Sequence, residues 1–312
     1  MKSLVIELPE TLAVDNMQEK IRTLQKLYDD SLSSPSEKVV FDFSHCKTVS
    51  PAGMVLIQMW RDDLIENGKK TFYRKSDPET QNFLQKMHLL PGYIEKQNEI
   101  VEKTYFHPLC SCNSISDCSE AHKKIIANVV QRDCVKDETY AAVDYMINEL
   151  WDNAGVHGYE CYDAERYPKP VYICALEYND CYEICIGDRG QGIFESLRKN
   201  NDKLSSKNKK VAIQSAIQNG ISGHPNGSPG FGLYSAAEFI READGRLHIW
   251  SSGCYLVVSG KNDKIYSSDY NRGTIISFVF KKSAVMPYSK VVGSSCDTDT
   301  YIKEVIGGMF DD

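Results

Sequence analysis

No stretch of this sequence stays apolar long enough to cross a bilayer, which takes ~20 residues. The longest clean run, Pro51 to Trp60, is short and carries Gln58. Positive charge is in deficit as well: 36 Lys and Arg stand against 43 Asp and Glu, a formal net charge of −7. No global field therefore draws the chain onto a nucleic-acid backbone. The opening Met1-Lys2-Ser3-Leu4-Val5-Ile6-Glu7 turns acidic before a signal-peptide core can form. The eleven cysteines are many, but they are odd in number and irregularly spaced. With no secretion signal ahead of them, they read as reduced thiols. These absences predict a cytoplasmic protein that partners neither membrane nor nucleic acid. Cys110, Cys112, Cys118 and His107 cluster, yet paired C-x-x-C spacing is missing, so a plain loop is favoured over a metal site.

What is present is the material of an ordinary globular protein: 312 residues, 42% hydrophobic and 25% charged. That length suggests two domains. From Leu4 to about Tyr105 the pattern alternates strand and helix. Strands are expected at Leu4 to Leu8, Val39 to Phe43 and Thr71 to Tyr73. Helices are expected at Met17 to Tyr28, at Met54 to Glu66 with Leu56, Met59, Trp60 and Leu64 on one face, and at Gln81 to Leu90. This is a small α/β unit, residues 1–105. The stretch 106–118, with Pro108, serines and cysteines, reads as a linker.

The second unit, residues 119–285, opens with two helices. Ile125, Ile126, Val129 and Val130 stripe the first, and Val143, Met146, Ile147, Leu150 and Ala154 the second. A hairpin follows, Val171 to Glu177 and Tyr182 to Ile186 around Asn179-Asp180. A polar segment from Ser196 to Ser228, a helix from Tyr234 to Ala243 and strands near Leu247, Tyr255 and Ile275 complete it. The expectation is a mixed-sheet α/β sandwich with helices on one face. In the tail, 286–312, Tyr301, Ile302, Val305, Ile306, Met309 and Phe310 recur at helical spacing. A docking helix is expected there, packing on its own chain in preference to forming a homodimer contact.

Chemistry concentrates in four places. Glu149, Asn153 and His157 are four residues apart and should form a polar ladder beside a buried helix face. Ile186-Gly187-Asp188-Arg189-Gly190-Gln191-Gly192 places an acid at a strand end, before glycines that let a flat ligand approach. Asn226-Gly227-Ser228-Pro229-Gly230-Phe231-Gly232-Leu233 puts glycines ahead of a helix whose N–H groups suit phosphate. Gly273-Thr274 opens the last strand.

In this order the four pieces resemble the N-box, the two glycine boxes and the final threonine of the GHKL ATPases, the group of gyrase, heat-shock chaperones, histidine kinases and mismatch-repair proteins. The resemblance runs from about Cys118 to Lys281. His157-Gly158-Tyr159 is especially similar to the bacterial anti-sigma serine kinases. It implies a Bergerat-type fold and ATP with Mg²⁺ as cofactors. Nucleotide contacts are implied at Asn153, His157, Asp188, Gly190, Gly192, Gly227, Gly230, Gly232, Leu233 and Thr274. Asp188 would accept the adenine amino group and select ATP over GTP. Asn153 would hold Mg²⁺ together with the nucleotide phosphates. Glu149 would be the catalytic base toward water or a serine hydroxyl. The segment between the glycine boxes would be a lid carrying Lys203, Lys207, Lys209 and Lys210.

Asp42-Phe43-Ser44-His45-Cys46-Lys47-Thr48-Val49-Ser50-Pro51-Ala52-Gly53 resembles the strand-loop-helix of STAS domains, found in anti-sigma factor antagonists. Where that family carries its phosphoacceptor serine, this chain has Ala52. The resemblance therefore implies a fixed binding or regulatory unit, with the loop at Ser50 to Gly53 as its exposed contact. Three functions follow as expectations: ATP hydrolysis or transfer that switches a contact with a regulatory protein partner, a serine/threonine kinase acting in trans, and a non-catalytic ATP sensor.

Overall fold

The computed structural model describes residues 3–92, 106–130, 137–160, 165–200, 208–221, 223, 232–260 and 262–285. The expected tail helix, Gly227, Gly230, Lys203 and Lys207 lie outside the described residues. Among the described residues, no helix is long and apolar enough to cross a membrane.

The N-terminal unit comprises β1 (Leu4–Glu7), β2 (Thr11–Leu12), α1 (Val14–Ser33), β3 (Lys38–Asp42), β4 (Thr48–Val49), α2 (Pro51–Glu66), β5 (Lys70–Arg74) and α3 (Pro78–Lys86). Strands β1, β3 and β5 form a parallel sheet in that order, and β2 pairs with β4. Pro51 at the first position of α2 suits a helix start, where its missing N–H would have no helical partner in any case.

The remainder comprises β6 (Phe106–Ser114), α4 (Ile115–Asn128), α5 (Asp137–Asp152), a π-helical turn (Asn153–His157), β7 (Arg166–Glu177) and β8 (Cys181–Asp188). It continues through α6 (Ile193–Asn200), α7 (Lys209–Ala216), α8 (Gly232–Glu242), β9 (Arg246–Ser251), β10 (Cys254–Ser259), β11 (Asn262–Ser267) and β12 (Thr274–Lys281). The architecture is mixed α/β. The seven strands run in the order β11-β10-β9-β12-β8-β7-β6, and every neighbouring pair is antiparallel. The expected mixed sheet is thus corrected. Hairpins join β7 to β8, β9 to β10 and β10 to β11, while β12 slots between β8 and β9 against both, so no neighbouring pair needs a parallel crossover.

The segment expected as a linker is corrected too. Residues 106–114 form the edge strand β6, and Ser114 caps α4 by accepting the Asp117 N–H at 3.1 Å. Pro108 is tolerated because β6 is an edge. Register shifts between His107 and Cys110 and between Cys112 and Ser114 erase the alternation that would have marked a strand. Cys110 and Cys112 lie on this strand with their sulfurs 3.5 Å apart. The Cys112 contact and burial raise the Cys110 thiol pKa; at Cys112 the Cys110 contact lowers it, but the Cys118 contact and burial outweigh that, so both thiols stay protonated. Among the described residues, no group of three or more His, Cys, Asp or Glu side chains is placed to hold a metal ion.

Helices cover both faces of the large sheet. Ile173, Ile184, Ile186, Ile249 and Phe278 pack with α4, α5 and α8 in one core. On the other face Tyr172, Cys174, Cys185, Trp250 and Ile275 share a second core with α1 and α2. This explains the apolar run at Pro51–Trp60. All ten of its residues are buried, not one stripe alone, because α2 is held between its own small sheet and the large one; a helix apolar all round is a buried helix. The fit is close at Gly187, where an added Cβ would lie 2.6 Å from Val55 Cγ1 and 2.9 Å from Met59 Sδ.

Ser50 to Gly53, expected as an exposed contact loop, is also corrected, since all four residues are buried. Glu183 Oε1 accepts from the Ser50 hydroxyl at 3.0 Å and the Ala52 N–H at 3.0 Å, so a carboxylate from β8 caps the N-terminus of α2.

Candidate functional site

Helix α5 is held by a continuous apolar stripe, Ala142, Val143, Met146, Ile147 and Leu150, which turns Glu149 away from the core. The helix then widens into the π turn Asn153–His157, where the Gly158 N–H bonds to the Asn153 carbonyl. A single π turn inside a helix often marks a functional position. Gly155 lies in it, and an added Cβ there would sit 2.3 Å from Tyr167 Cζ. The simple ladder of Glu149, Asn153 and His157 is therefore broken after Asn153. Glu149 and Asn153 still converge, both flanking the first residue of α8: a Cβ on Gly232 would lie 2.6 Å from Asn153 Nδ2 and 2.9 Å from Glu149 Oε2.

Strand β8 brings the second piece. Asp188 is 3% exposed. Its Oδ1 accepts the Gly190 N–H at 2.8 Å, and the Thr274 N–H also bonds to the carboxylate. Burial pushes its pKa up to about 7 against these two bonds. Thr274 is its register partner across β8 and β12. Thr274 Oγ1 lies 3.1 Å from Ser251 Oγ, and Ser251 Oγ accepts the Ile193 N–H at 2.9 Å.

These parts line one cavity of about 220 Å³. Of the residues expected at a site, Glu149, Asn153, His157, Asp188, Gly192, Gly232, Leu233 and Thr274 border it, brought there from four separate segments. Gly190 is beside it without lining it. The aliphatic part comes from Ile186, Ile193, Leu197 and Ile276, and Asp152, Gly158 and Ser196 add polar or small surface. Sequence reasoning missed Asp152, Gly158 and the Ser251-Ser252 pair. Gly158 had a usable signal, a glycine one turn beyond Asn153; the serines had none.

The glycines meet tight packing within the chain itself, and Gly192 has a φ of +80°, a conformation that residues with a side chain rarely adopt. A Cβ on Gly190 would meet the Gly158 carbonyl oxygen at 2.0 Å, one on Gly158 would meet Asp188 Oδ1 at 2.9 Å, and one on Gly192 would meet the Ser252 hydroxyl at 2.7 Å. They let protein segments close on one another around the cavity. The Gln191 N–H to Gly158 O bond, 2.9 Å, and the Gln191 Nε2 to His157 O bond, 2.8 Å, fasten the same seam.

Electrostatically the cavity is acidic. Glu149, Asp152 and Asp188 line it, and no Lys or Arg does among the described residues. Burial raises the Glu149 pKa, with Asp152 adding to the rise while a hydrogen bond from Tyr145 opposes it. Lys209, one of the expected lid lysines, is exposed and stands 5.9 Å over the Phe194 ring.

Set against known proteins, the chain matches no family model and no curated protein. The chemistry of the cavity must carry its own interpretation. The cavity offers a half-buried carboxylate, Glu149, near the side-chain amide of Asn153, and a buried carboxylate, Asp188, among aliphatic walls.

Proposed function

We propose that the chain is a Mg-ATP-binding regulatory protein, with a GHKL-type nucleotide unit and a STAS-like N-terminal unit. The observation that carries this reading is the meeting of Asp188, Thr274, Asn153 and Glu149 in one cavity from distant parts of the chain. Asp188 has spare acceptor capacity toward an exocyclic amine, and Ile186, Ile276 and Leu233 offer apolar surface to an adenine ring. Asn153 supplies one oxygen donor. With the phosphates of the nucleotide it would help hold an oxygen-seeking cation, which supplies charge neutralisation when bound. Since no cationic side chain lines the cavity among the described residues, the binding of a polyphosphate depends on that metal.

Glu149 has the chemistry of a general base. Its raised pKa brings it closer to neutrality, where proton acceptance from an attacking hydroxyl is most effective. Attack by water releases phosphate; attack by a protein serine or threonine yields a phosphoester. The presence of this base favours either over a sensor without turnover. ATP affinity and turnover of the full chain test the reading. Wild type binds ATP with Mg²⁺ and only weakly without it, Asn153→Ala loses metal-dependent binding, and Glu149→Gln binds without turnover. Unchanged binding in both Asp188→Ala and Asn153→Ala contradicts the assignment.

A further inference from the structure

We propose that the acidic end of α2, in the N-terminal unit, is the positioning element of the nucleotide pocket. It acts through Arg189, the residue after Asp188. The proposal rests on the nucleotide reading of that pocket.

The Arg189 side chain is 6% exposed and does not line the cavity. It turns away from the cavity toward α2, where Nη2 meets Glu66 Oε1 at 2.5 Å and Nη1 stands 3.8 Å from Asp63 Oδ1. Its guanidinium lies 5.9 Å over the Tyr172 ring, and the Tyr172 hydroxyl donates to Asp62 Oδ2 at 3.0 Å. The same Asp63 takes Arg272 Nη1 at 3.1 Å on its other oxygen, and Tyr28 donates its hydroxyl to that oxygen. Arg272 precedes Gly273-Thr274. The end of α2 thus holds both loops: Glu66 bonds to Arg189 beyond Asp188, and Asp63 bonds to Arg272 ahead of Thr274 while standing in ion-pair range of Arg189. Gly273 shows how tightly those loops are joined: its φ is +75°, and an added Cβ would fall 1.9 Å from the Asp188 carbonyl oxygen.

The link from clamp to pocket is short. The Arg189 N–H donates to the Tyr159 hydroxyl at 3.0 Å, and the next N–H, of Gly190, holds Asp188 Oδ1 at 2.8 Å. If Arg189 is released, the chain bearing the Gly190 N–H loses its side-chain anchor, is held only by the Tyr159, Gly158 and His157 bonds, and directs the Asp188 carboxylate less firmly. Ion pairs on a surface contribute little, but this guanidinium is withdrawn from water and bridges two elements distant in sequence, where charge-assisted bonds fix geometry. The N-terminal unit thus buttresses the site from behind its lining, and a partner that pulls α2 away would weaken nucleotide binding.

The test compares the full chain with Glu66→Gln, Asp63→Asn/Glu66→Gln, Arg189→Glu and the charge exchange Glu66→Arg/Arg189→Glu. Mg-ATP affinity and amide hydrogen exchange without nucleotide are both measured, with thermal unfolding as a folding control. Glu66 is 45% exposed, so Glu66→Gln keeps the fold. The expected result is roughly tenfold weaker Mg-ATP binding in the double variant, faster exchange at residues 189–192, and partial recovery of both in the charge exchange over Arg189→Glu alone. Wild-type affinity in the double variant overturns the proposal. If wild type itself binds no ATP, the nucleotide reading fails, and exchange decides the positioning separately: unchanged protection at 189–192 overturns it, and selective loss there supports it.

Discussion

Strand β8 carries two buried acids that point to opposite faces of the sheet, and burial pushes the pKa of each up to about 7. Glu183 faces the N-terminal unit, where four protein donors meet it: the Ser50 hydroxyl, the Ala52 N–H, the Ser277 hydroxyl at 3.2 Å and, on Oε2, the Tyr178 hydroxyl at 3.2 Å. Asp188 faces the cavity and receives two backbone N–H groups. The same shift on the same strand thus accompanies two different tasks. A carboxylate saturated by its own chain is a fastener; one left with acceptor capacity toward a cavity is a recognition group.

Variants of the two acids and of Glu149 break this comparison most forcefully. Glu149→Gln lowers turnover by roughly 10²–10⁴-fold with nucleotide affinity near wild type, read by steady-state phosphate release. Asp188→Ala weakens ATP binding by roughly 10²-fold or more and lowers the melting temperature less than the Glu183 variant does, because it strands two donors, the Gly190 and Thr274 N–H groups, where Glu183 serves four. Glu183→Ala behaves in the reverse way. It leaves buried donors at the N-terminus of α2 without an acceptor and costs about 2–4 kcal/mol of unfolding free energy in denaturant titration.

The pH dependence is subtler. Both acids hold protons in the folded chain that the unfolded chain releases near its ordinary carboxylate values of 3.8 and 4.5. Their stabilising contribution is whole below about pH 4 and is lost as pH rises toward 7, at up to about 1.4 kcal/mol per pH unit for each group, then levels off. Glu183→Gln flattens this slope. ATP affinity runs the other way: the ionised Asp188 carboxylate is a stronger acceptor for an amine than the neutral acid, so affinity falls as pH drops below 7. Calorimetric titrations from pH 6 to 8 compare the two trends.

The face of β8 that meets the cavity was legible in the sequence. Its buried acid Asp188, the glycines around it and the Glu149–Asn153 pair are local motifs that survive folding as neighbours. The opposite face was not legible. The helix expected from Met54 to Glu66 looked one-sided because nothing near it in the chain reveals the second sheet it packs against. The clamp of Asp63 and Glu66 on Arg189 and Arg272 joins residues more than 120 positions apart, and the separate residues look like ordinary solvated charges. Strand β11 escaped notice because its residues, Asn262–Ser267, are almost all exposed and lack apolar alternation. Strand β6 was hidden by Pro108 and by its irregular pairing.

The division of labour between the two acids is tested most directly by calorimetric titration of Mg-ATP into wild type, Asp188→Asn and Glu183→Gln under one set of conditions. The account predicts binding to wild type and to Glu183→Gln and its loss in Asp188→Asn. Equal binding in Asp188→Asn and wild type, or no binding by wild type, contradicts it.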